Sequence, residues 1–166
     1  MLLLPNKNET IVLPYEAAEV ESHLRIFVKP VKNMGTPAID KKPGEYYFNG
    51  WVRDGRFRIS SVIKIPQNFL PLISGRIEAT SLGCILFLHY RLFNSTILFL
   101  SLWIAICLFV AVVFGFVLDK LAYSILAFLF AFLNYFVAVK NFGLQLRRSK
   151  ADFDRLLQSL NNNTNV

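Results

Sequence analysis

The longest apolar pattern in the chain runs from 96 to 139 and consists of two uncharged segments, 97–118 and 121–139, separated by Asp119 and Lys120. At ~1.5 Å of rise per helical residue, each segment is close to the ~30 Å thickness of a bilayer's hydrocarbon core. A chain of 166 residues is too short to bury such a helix pair inside a soluble domain. The pattern therefore predicts a transmembrane helical hairpin (96–139).

The turn of this hairpin is too short to hold a domain, so both ends of the chain are expected on one side of the membrane. Arg91 precedes the hairpin, and Lys140, Arg147, Arg148 and Lys150 follow it. Positively charged residues flanking spans favour the cytoplasmic side, which predicts cytoplasmic termini. The apolar run at the N-terminus is too short for a signal peptide, so the hairpin is expected to direct insertion.

Small residues recur at a spacing of four in both spans, and this spacing lets two helix backbones approach closely. The set comprises Ser101, Ala105, Ala111, Gly115, Ala127 and Ala131. We expect Ala111, Gly115, Ala127 and Ala131 to form the contact between the spans, with a homo-oligomer interface as the competing use. Asn134 is the only amide in either span, and we expect an interhelical hydrogen bond from it in preference to a transport site.

Between 44 and 93 the pattern changes to short strands bounded by turn residues, at 45–51, 56–65, 73–80 and 84–93. Asp54-Gly55 is a strong signal for a two-residue hairpin turn. These segments predict a small antiparallel sheet in a cytoplasmic β domain (44–93).

The first 43 residues contain prolines at a spacing that permits no long helix, and they predict an irregular lead-in (1–43) that pairs onto the sheet. Within it we expect strands at 10–13 and 24–28 and a short helix at 16–23.

After the second span no turn signal interrupts the chain, so the helix is expected to continue past Asn141 and Gly143. An amphipathic helix (140–160) results, whose apolar positions are Phe153, Leu156, Leu157 and Leu160. This face can lie on the membrane, pack on the sheet or bind a partner helix, and we expect packing on the sheet because the sheet otherwise lacks a cover. The polar residues 161–166 predict a disordered tail.

The whole pattern predicts an α+β membrane protein, in which a small antiparallel sheet is followed by a transmembrane helical hairpin and a C-terminal amphipathic helix.

The formal net charge of +7 and the pI near 9.6 favour contact with anionic lipid headgroups. Arg53, Arg56, Arg58 and Lys64 fall close together on one predicted hairpin and are the candidate headgroup ligands, with a solvated sheet face as the alternative. Nucleic acid is the other partner that such a pI suggests, but the sequence has no nucleic-acid-binding motif, so none is expected.

The sequence offers no catalytic, cofactor-binding or metal-binding pattern. The ionisable candidates His23, His89, Glu45, Asp54 and Glu78 have no recognised spacing. Neither a disulfide framework nor a CxxC metal motif can be made from the two cysteines, Cys84 and Cys107, which we expect to be inert apolar residues. We therefore predict a protein that is not an enzyme and has no cofactor.

The run from 48 to 77, FNGWVRDGRFRISSVIKIPQNFLPLISGRI, followed by a strand that ends at Phe93 and by two spans, resembles a group of small bacterial membrane proteins that is frequent in cyanobacteria. The matching positions are Phe48, Gly50, Phe57, Ile59, Asn68, Phe69, Leu70, Pro71, Gly75 and Ile77. This sequence departs from the pattern at Ser61 and at Arg91-Leu92-Phe93. The resemblance implies an architecture and a bacterial inner membrane, plasma or thylakoid, but it transfers no catalytic residue.

Three classes of function fit these observations. The first, which we expect in preference to the others, is a scaffold or accessory subunit of a larger membrane complex, in which a protein partner or a second copy recognises the sheet or the C-terminal helix. The second is a module that responds to lipid headgroups. An oligomeric pore or transporter is disfavoured because neither span contains an ionisable residue to line a path.

Overall fold

A computed structural model describes residues 5–31, 46–62 and 69–163, with side chains up to Leu160. The elements are β1 (Asn6–Leu13), α1 (Ala17–Phe27), β2 (Val28–Pro30), β3 (Phe48–Arg53), β4 (Arg56–Ser61), β5 (Pro71–Thr80), β6 (Gly83–Leu92), α2 (Asn94–Val112) and α3 (Leu121–Asn163). A π-helical segment, Val113–Val117, continues α2. The chain therefore has the predicted α+β composition.

The strands form one six-stranded sheet in the order β1-β6-β5-β4-β3-β2. Neighbours are antiparallel except for the parallel pair β2 and β3. Asp54 and Gly55 both have positive φ, 53° and 66°, as the predicted two-residue turn requires. The four predicted strands are confirmed with shifted ends, while residues 63–68, which include the last three of the predicted strand 56–65, lie outside the described residues.

The N-terminal lead-in is part of the fold where the structure describes it, so the prediction of an irregular segment is wrong there. β1 contains the predicted strand 10–13 and pairs along its whole length with β6. α1 contains most of the predicted helix 16–23 but continues to Phe27. Residues 32–45 lie outside the described part of the chain.

The strand predicted at 24–28 is wrong because its first four residues belong to α1. The apolar run LRIFV resembles a strand in isolation, yet Val20, Leu24 and Phe27 have helical spacing and pack in the core. Arg25 also pairs with Glu21 one turn earlier. Packing of the apolar side of α1 in the core therefore stabilises the helix over a strand.

α1 and the C-terminal part of α3 cover one face of the sheet, which we call the inner face. The Phe153 ring stacks on Phe57 at a centroid distance of 6.0 Å and meets Phe48 edge-on at 6.1 Å. Phe153, Leu156 and Leu160 are buried and Leu157 is partly buried against the same core. The predicted packing of this helix on the sheet is confirmed, so the face considered for a partner helix is used within the protein.

α3 is a single helix from the turn of the hairpin to the sheet, and its continuation past Asn141 and Gly143 is confirmed. The helix extends to Asn163, so the prediction of a disordered tail at 161–166 is wrong at 161–163, and residues 164–166 lie outside the described chain. Because one helix contributes to both the hairpin and the core, the two parts are joined by a continuous element.

α2 and α3 form the predicted helical hairpin with small residues at the contact. Ala111 and Ala131 are buried, and Ala127 is half-buried. Ser124 Oγ donates a hydrogen bond to the carbonyl oxygen of Ala111 at 2.7 Å. A Cβ at Gly115 would lie 3.0 Å from the same Ser124 Oγ. The small side chains therefore allow the close approach that their spacing suggested.

The interhelical hydrogen bond predicted for Asn134 is wrong. Its Nδ2 donates to the carbonyl oxygen of Phe130 at 2.9 Å, within the same helix. The Phe130 carbonyl lies one turn back, so the amide reaches an acceptor without the neighbouring helix.

Asn94–Val117 and Leu121–Leu160 are long and apolar enough to cross a membrane. In the most apolar part of each helix, 17% and 11% of the residues are buried. Most apolar side chains of the hairpin are therefore not buried against other parts of the protein.

An ion pair joins α3 to β1 on the inner face, beside Tyr90 of β6. Lys150 Nζ donates to Glu9 Oε1 and forms an ion pair with it. This hydrogen bond is the main cause that raises the pKa of Lys150. Tyr90 is buried, its hydroxyl has no hydrogen-bond partner among the described residues, and burial raises its pKa, with smaller contributions from the Glu9 and Asp154 charges.

Gly75 lies directly opposite Phe57, and a Cβ there would lie 2.2 Å from the ring. We predict that Gly75→Ala lowers the free energy of unfolding by about 1–3 kcal/mol, because the ring would have to move from its stack with Phe153. Thermal and denaturant unfolding of the detergent-solubilised protein measures this change. Gly143→Ala is the matched control: nothing lies within 4 Å of the added Cβ, so this change in α3 stabilises by up to about 1 kcal/mol. Equal stability of Gly75→Ala and wild type would contradict the close packing of the Phe57 ring on Gly75.

We predict that stability falls as the pH rises above about 10. In that range the unfolded chain releases protons that Tyr90 and Lys150 keep in the folded chain, because both folded-state pKa values are raised. Unfolding measured from pH 7 to 11.5 should show a smaller loss for Tyr90→Phe than for wild type. The control Tyr47→Phe, at an exposed position outside the hairpin, should follow wild type. Superimposable profiles for Tyr90→Phe and wild type would count against this assignment.

Candidate functional site

The face of the sheet opposite α1 and α3, which we call the outer face, carries a group of arginines. The strand register arranges the side chains in rows that cross the sheet. One row contains Arg53, Arg56, Arg76 and Phe87, the next contains Trp51, Arg58, Ser74 and His89, and the row after that contains Leu72 and Arg91. Among the strand residues described, Glu78 is the carboxylate on this face. We call Arg53, Arg56, Arg58, Arg76 and Arg91 the arginine face.

Two of these arginines have partners on the surface of the sheet. Arg76 forms an ion pair with Glu78, and its guanidinium lies 5.9 Å from the centre of the Phe87 ring. The Arg53 guanidinium lies 5.3 Å from the centre of the Trp51 ring. Arg56 is exposed to solvent. These three side chains are therefore paired or hydrated.

Arg58 and Arg91 are in a different environment. Both are half-buried, and the Nε of each lies out of contact with solvent with no hydrogen-bond acceptor in the described part of the chain. Burial lowers the pKa of Arg58, and the like charge of Arg91 lowers it further. A guanidinium remains protonated in proteins, so two neighbouring cations share this part of the face without a described carboxylate.

A third polar atom without a partner lies beside them. Ser60 follows Ile59 on β4 and faces outward like Arg58, two residues before it. Its residue is 1% exposed, and its Oγ has no hydrogen-bond partner among the described residues. All three atoms are able to donate a hydrogen bond, so together they form a site that lacks an acceptor.

This site lies at the end of the sheet from which the hairpin begins. β6 ends at Leu92 and α2 begins at Asn94, with Phe93 between them. Arg91 therefore lies about 10 Å of extended chain from the first residue of α2, at ~3.3 Å per residue. Arg58 is one row farther from α2, and Arg53 and Arg56 are two rows farther.

The predicted headgroup ligands are thus only partly brought together. Arg53, Arg56 and Arg58 share the outer face as expected, whereas Lys64 lies outside the described residues. Sequence reasoning missed Arg91, Arg76 and Ser60 as members of the group. The alternation of apolar and polar residues in 84–93 assigns Arg91 to the outward side, but its proximity to Arg58 depends on the pairing of β6 with β5.

The structure separates the candidate catalytic residues it describes. His23 is buried between α1 and α3, where its Nε2 is 2.9 Å from Ser159 Oγ and 3.2 Å from the carbonyl oxygen of Leu156. His89 Nδ1 hydrogen-bonds to Asn8 Oδ1 on the outer face. Asp54 is in the β3–β4 turn, Glu78 pairs with Arg76, and Glu45 lies outside the described residues.

Within the described residues, no three His, Cys, Asp or Glu side chains are arranged to hold a metal ion. Cys84 and Cys107 are free thiols and are buried, and burial raises the pKa of Cys84.

A groove of about 580 Å³ lies along β2 and β3 and includes Arg25, Tyr46, Trp51 and Arg53 in its lining. Its two guanidinium groups are engaged, because Arg25 pairs with Glu21 and Arg53 lies over Trp51. The groove is therefore less suited to an anionic ligand than the region around Arg58 and Arg91.

Comparisons of this chain with protein-family models, with curated proteins and with solved structures find no match.

We predict that Arg58→Met raises the free energy of unfolding by about 1 kcal/mol in phosphate-free dodecyl maltoside, because it removes a buried donor without an acceptor and a repulsion from Arg91. Methionine keeps an unbranched apolar stem at this position. Arg56→Met, at the exposed neighbour, should change stability by less than about 0.5 kcal/mol. Denaturant unfolding measures both. A clear loss of stability in Arg58→Met would mean that the guanidinium has a stabilising partner in the fold.

Proposed function

We propose that this chain is a non-catalytic membrane protein whose hairpin anchors the sheet at the cytoplasmic surface of a bacterial plasma or thylakoid membrane. Its arginine face binds the anionic headgroups of the lipids in that membrane. The observation that carries this proposal is the position of Arg91 and Arg58 on the arginine face, toward the end of the sheet that leads through Phe93 into the first apolar helix.

Membrane anchoring is supported by the exposed surface of the hairpin. Large apolar side chains such as Phe99, Phe116 and Leu126 are more than half exposed. Soluble monomers rarely expose a continuous apolar surface of this extent. Lipid would cover these side chains at no cost in hydration.

Charge supports a cytoplasmic position for the sheet. Arg91 lies just before α2, and Lys140, Arg147 and Arg148 lie on α3 beyond its apolar part. At the other end of the hairpin, Asp119 balances Lys120. This distribution follows the positive-inside rule, so the sheet and both termini are assigned to the cytoplasm.

The spacing along β6 supports headgroup contact. The headgroup region extends about 5–8 Å beyond each side of the hydrocarbon core. Arg91 is close enough to α2 for its side chain to reach this layer, and Arg58 follows one row later. Each basic residue near an anionic surface contributes about 1 kcal/mol of attraction, and the effect decreases within a Debye length of ~8–10 Å.

A scaffold or accessory-subunit role is the second candidate. The helix face expected to recognise a partner, from Phe153 to Leu160, packs on the sheet and is not available. A partner would therefore have to contact the lateral surface of the hairpin, where the small residues Ser101 and Ala105 remain exposed on α2. Such a role does not explain why arginines collect on the outer face, so headgroup binding ranks first.

The proposal predicts that the fluorescence of Trp51, which lies opposite Arg58 on the outer face, depends on the charge of the surrounding lipid. The sequence has two tryptophans, and Trp103→Phe leaves Trp51 as the single emitter. In nanodiscs, replacing part of the phosphatidylcholine with phosphatidylglycerol should shift Trp51 emission, and salt near 1 M should reverse the shift, since it reduces the Debye length to ~3 Å.

The response should disappear when all five residues of the arginine face are changed to Gln. It should persist in Arg147→Gln/Arg148→Gln, which removes two exposed charges from α3. Identical Trp51 emission in the two lipid mixtures would contradict headgroup binding and leave the scaffold role as the better account.

A further inference from the structure

The three donors without an acceptor on the outer face share one location. Arg58 is opposite Ser74, Ser74 is opposite His89, and Arg91 is two residues beyond His89 on the same face of β6. Ser60 is two residues beyond Arg58 on β4, toward the row of Arg91. The donors therefore lie on either side of the first residues of β5, on β4 and β6.

We propose that a phosphate group binds between the guanidinium groups of Arg58 and Arg91, within reach of the hydroxyl of Ser60. This inference deepens the proposed function and rests on it in so far as the phosphate belongs to a lipid.

The chemistry of the site selects an anion with several acceptor oxygens. A guanidinium presents parallel N–H donors that match two oxygens of a phosphate, and charge-assisted hydrogen bonds of this kind are about twice as strong as neutral ones. Three separate donors need at least three acceptor positions. A phosphate offers them on one tetrahedral centre, whereas a carboxylate has two oxygens in a plane.

Electrostatics favour the same ligand. Without an anion, Arg58 and Arg91 repel each other in a half-buried environment, which is the second cause of the lowered pKa of Arg58. An anion between them replaces this repulsion with two attractions. The free energy lost in keeping the empty site is then recovered when the ligand binds, as is typical of functional sites.

A neighbouring pair of arginines provides an internal comparison. Arg56 and Arg76 lie directly opposite each other in the next row. Both are exposed, and Arg76 is already paired with Glu78. This pair has the same number of charges but no buried unpaired donor, so we expect it to contribute general attraction and no specific site.

The test uses the full-length protein in dodecyl maltoside, which contains no phosphorus, at constant ionic strength set with sodium chloride. Dioctanoyl phosphatidic acid, dioctanoylglycerol and inorganic phosphate are titrated separately, and the thermal midpoint is recorded at each concentration. A ligand that binds the folded state raises the midpoint. We expect a saturable rise with phosphatidic acid and none with dioctanoylglycerol, which has the same acyl chains without the phosphate.

The variants separate the site from general charge. Arg58→Gln/Arg91→Gln should raise the half-saturating concentration of phosphatidic acid at least tenfold, whereas the matched Arg56→Gln/Arg76→Gln should change it by less than about threefold. Arg58→Lys/Arg91→Lys keeps both charges and should still weaken binding several-fold, because it removes the guanidinium forks. This conservative pair also keeps the test decisive if the Gln pair folds poorly.

The ligand arms identify the source of the phosphate. A rise with inorganic phosphate that equals the rise with phosphatidic acid supports a site for soluble phosphate, and a rise with the lipid alone supports a headgroup site. Equal losses in Arg58→Gln/Arg91→Gln and Arg56→Gln/Arg76→Gln would overturn the specific site but leave headgroup binding by diffuse charge in place. No rise with either phosphate ligand would overturn the inference, and the Trp51 response would then show separately whether headgroup binding also fails.

Discussion

The structure depends on the contact between the end of α3 and the inner face of the sheet. Phe153 on α3 stacks on Phe57 of β4. The Phe57 ring in turn packs on the backbone of Gly75 in β5, where there is no side chain, so these contacts join the helix to two neighbouring strands. Because α3 is continuous from Leu121, this contact also fixes where the sheet lies relative to the hairpin. The outer face carries the arginine face, and at the α2 end of the sheet Leu72 and Phe93 are buried in a second apolar cluster.

The outer face carries the arginines from which we infer the function. On a face that only meets water, arginines would be hydrated or paired with acids, as Arg56 and Arg76 are. Arg58 and Arg91 are half-buried and close to each other, and the buried Nε of each has no acceptor among the described residues. Such an arrangement lowers stability unless an anion completes it. We propose that the membrane next to α2 supplies this anion.

Local signals predicted much of the fold. The Asp54-Gly55 turn, the strands that flank it and the uninterrupted helix past Gly143 all follow from neighbouring residues. The errors arise where contacts between residues far apart in the sequence determine the secondary structure. Residues 24–27 are helical because the core accepts Leu24 and Phe27 from a helix, and β1 exists because β6 offers it an edge. The candidate site could be predicted only in part for the same reason. The hairpin turn brings Arg53, Arg56 and Arg58 together, but Arg91 joins them only through the pairing of β4, β5 and β6.

The most direct test of the account is the distance between the outer face and the lipid headgroups. His89 and Ile85 both face outward on β6, one near α2 and one farther away. A fluorophore is attached at each position in turn, as His89→Cys or Ile85→Cys, after Cys84 and Cys107 are replaced with Ala. In nanodiscs that contain lipids with a nitroxide on the headgroup, we expect strong quenching at His89 and weak quenching at Ile85. Weak and equal quenching at both positions would contradict the claim that this face meets the membrane.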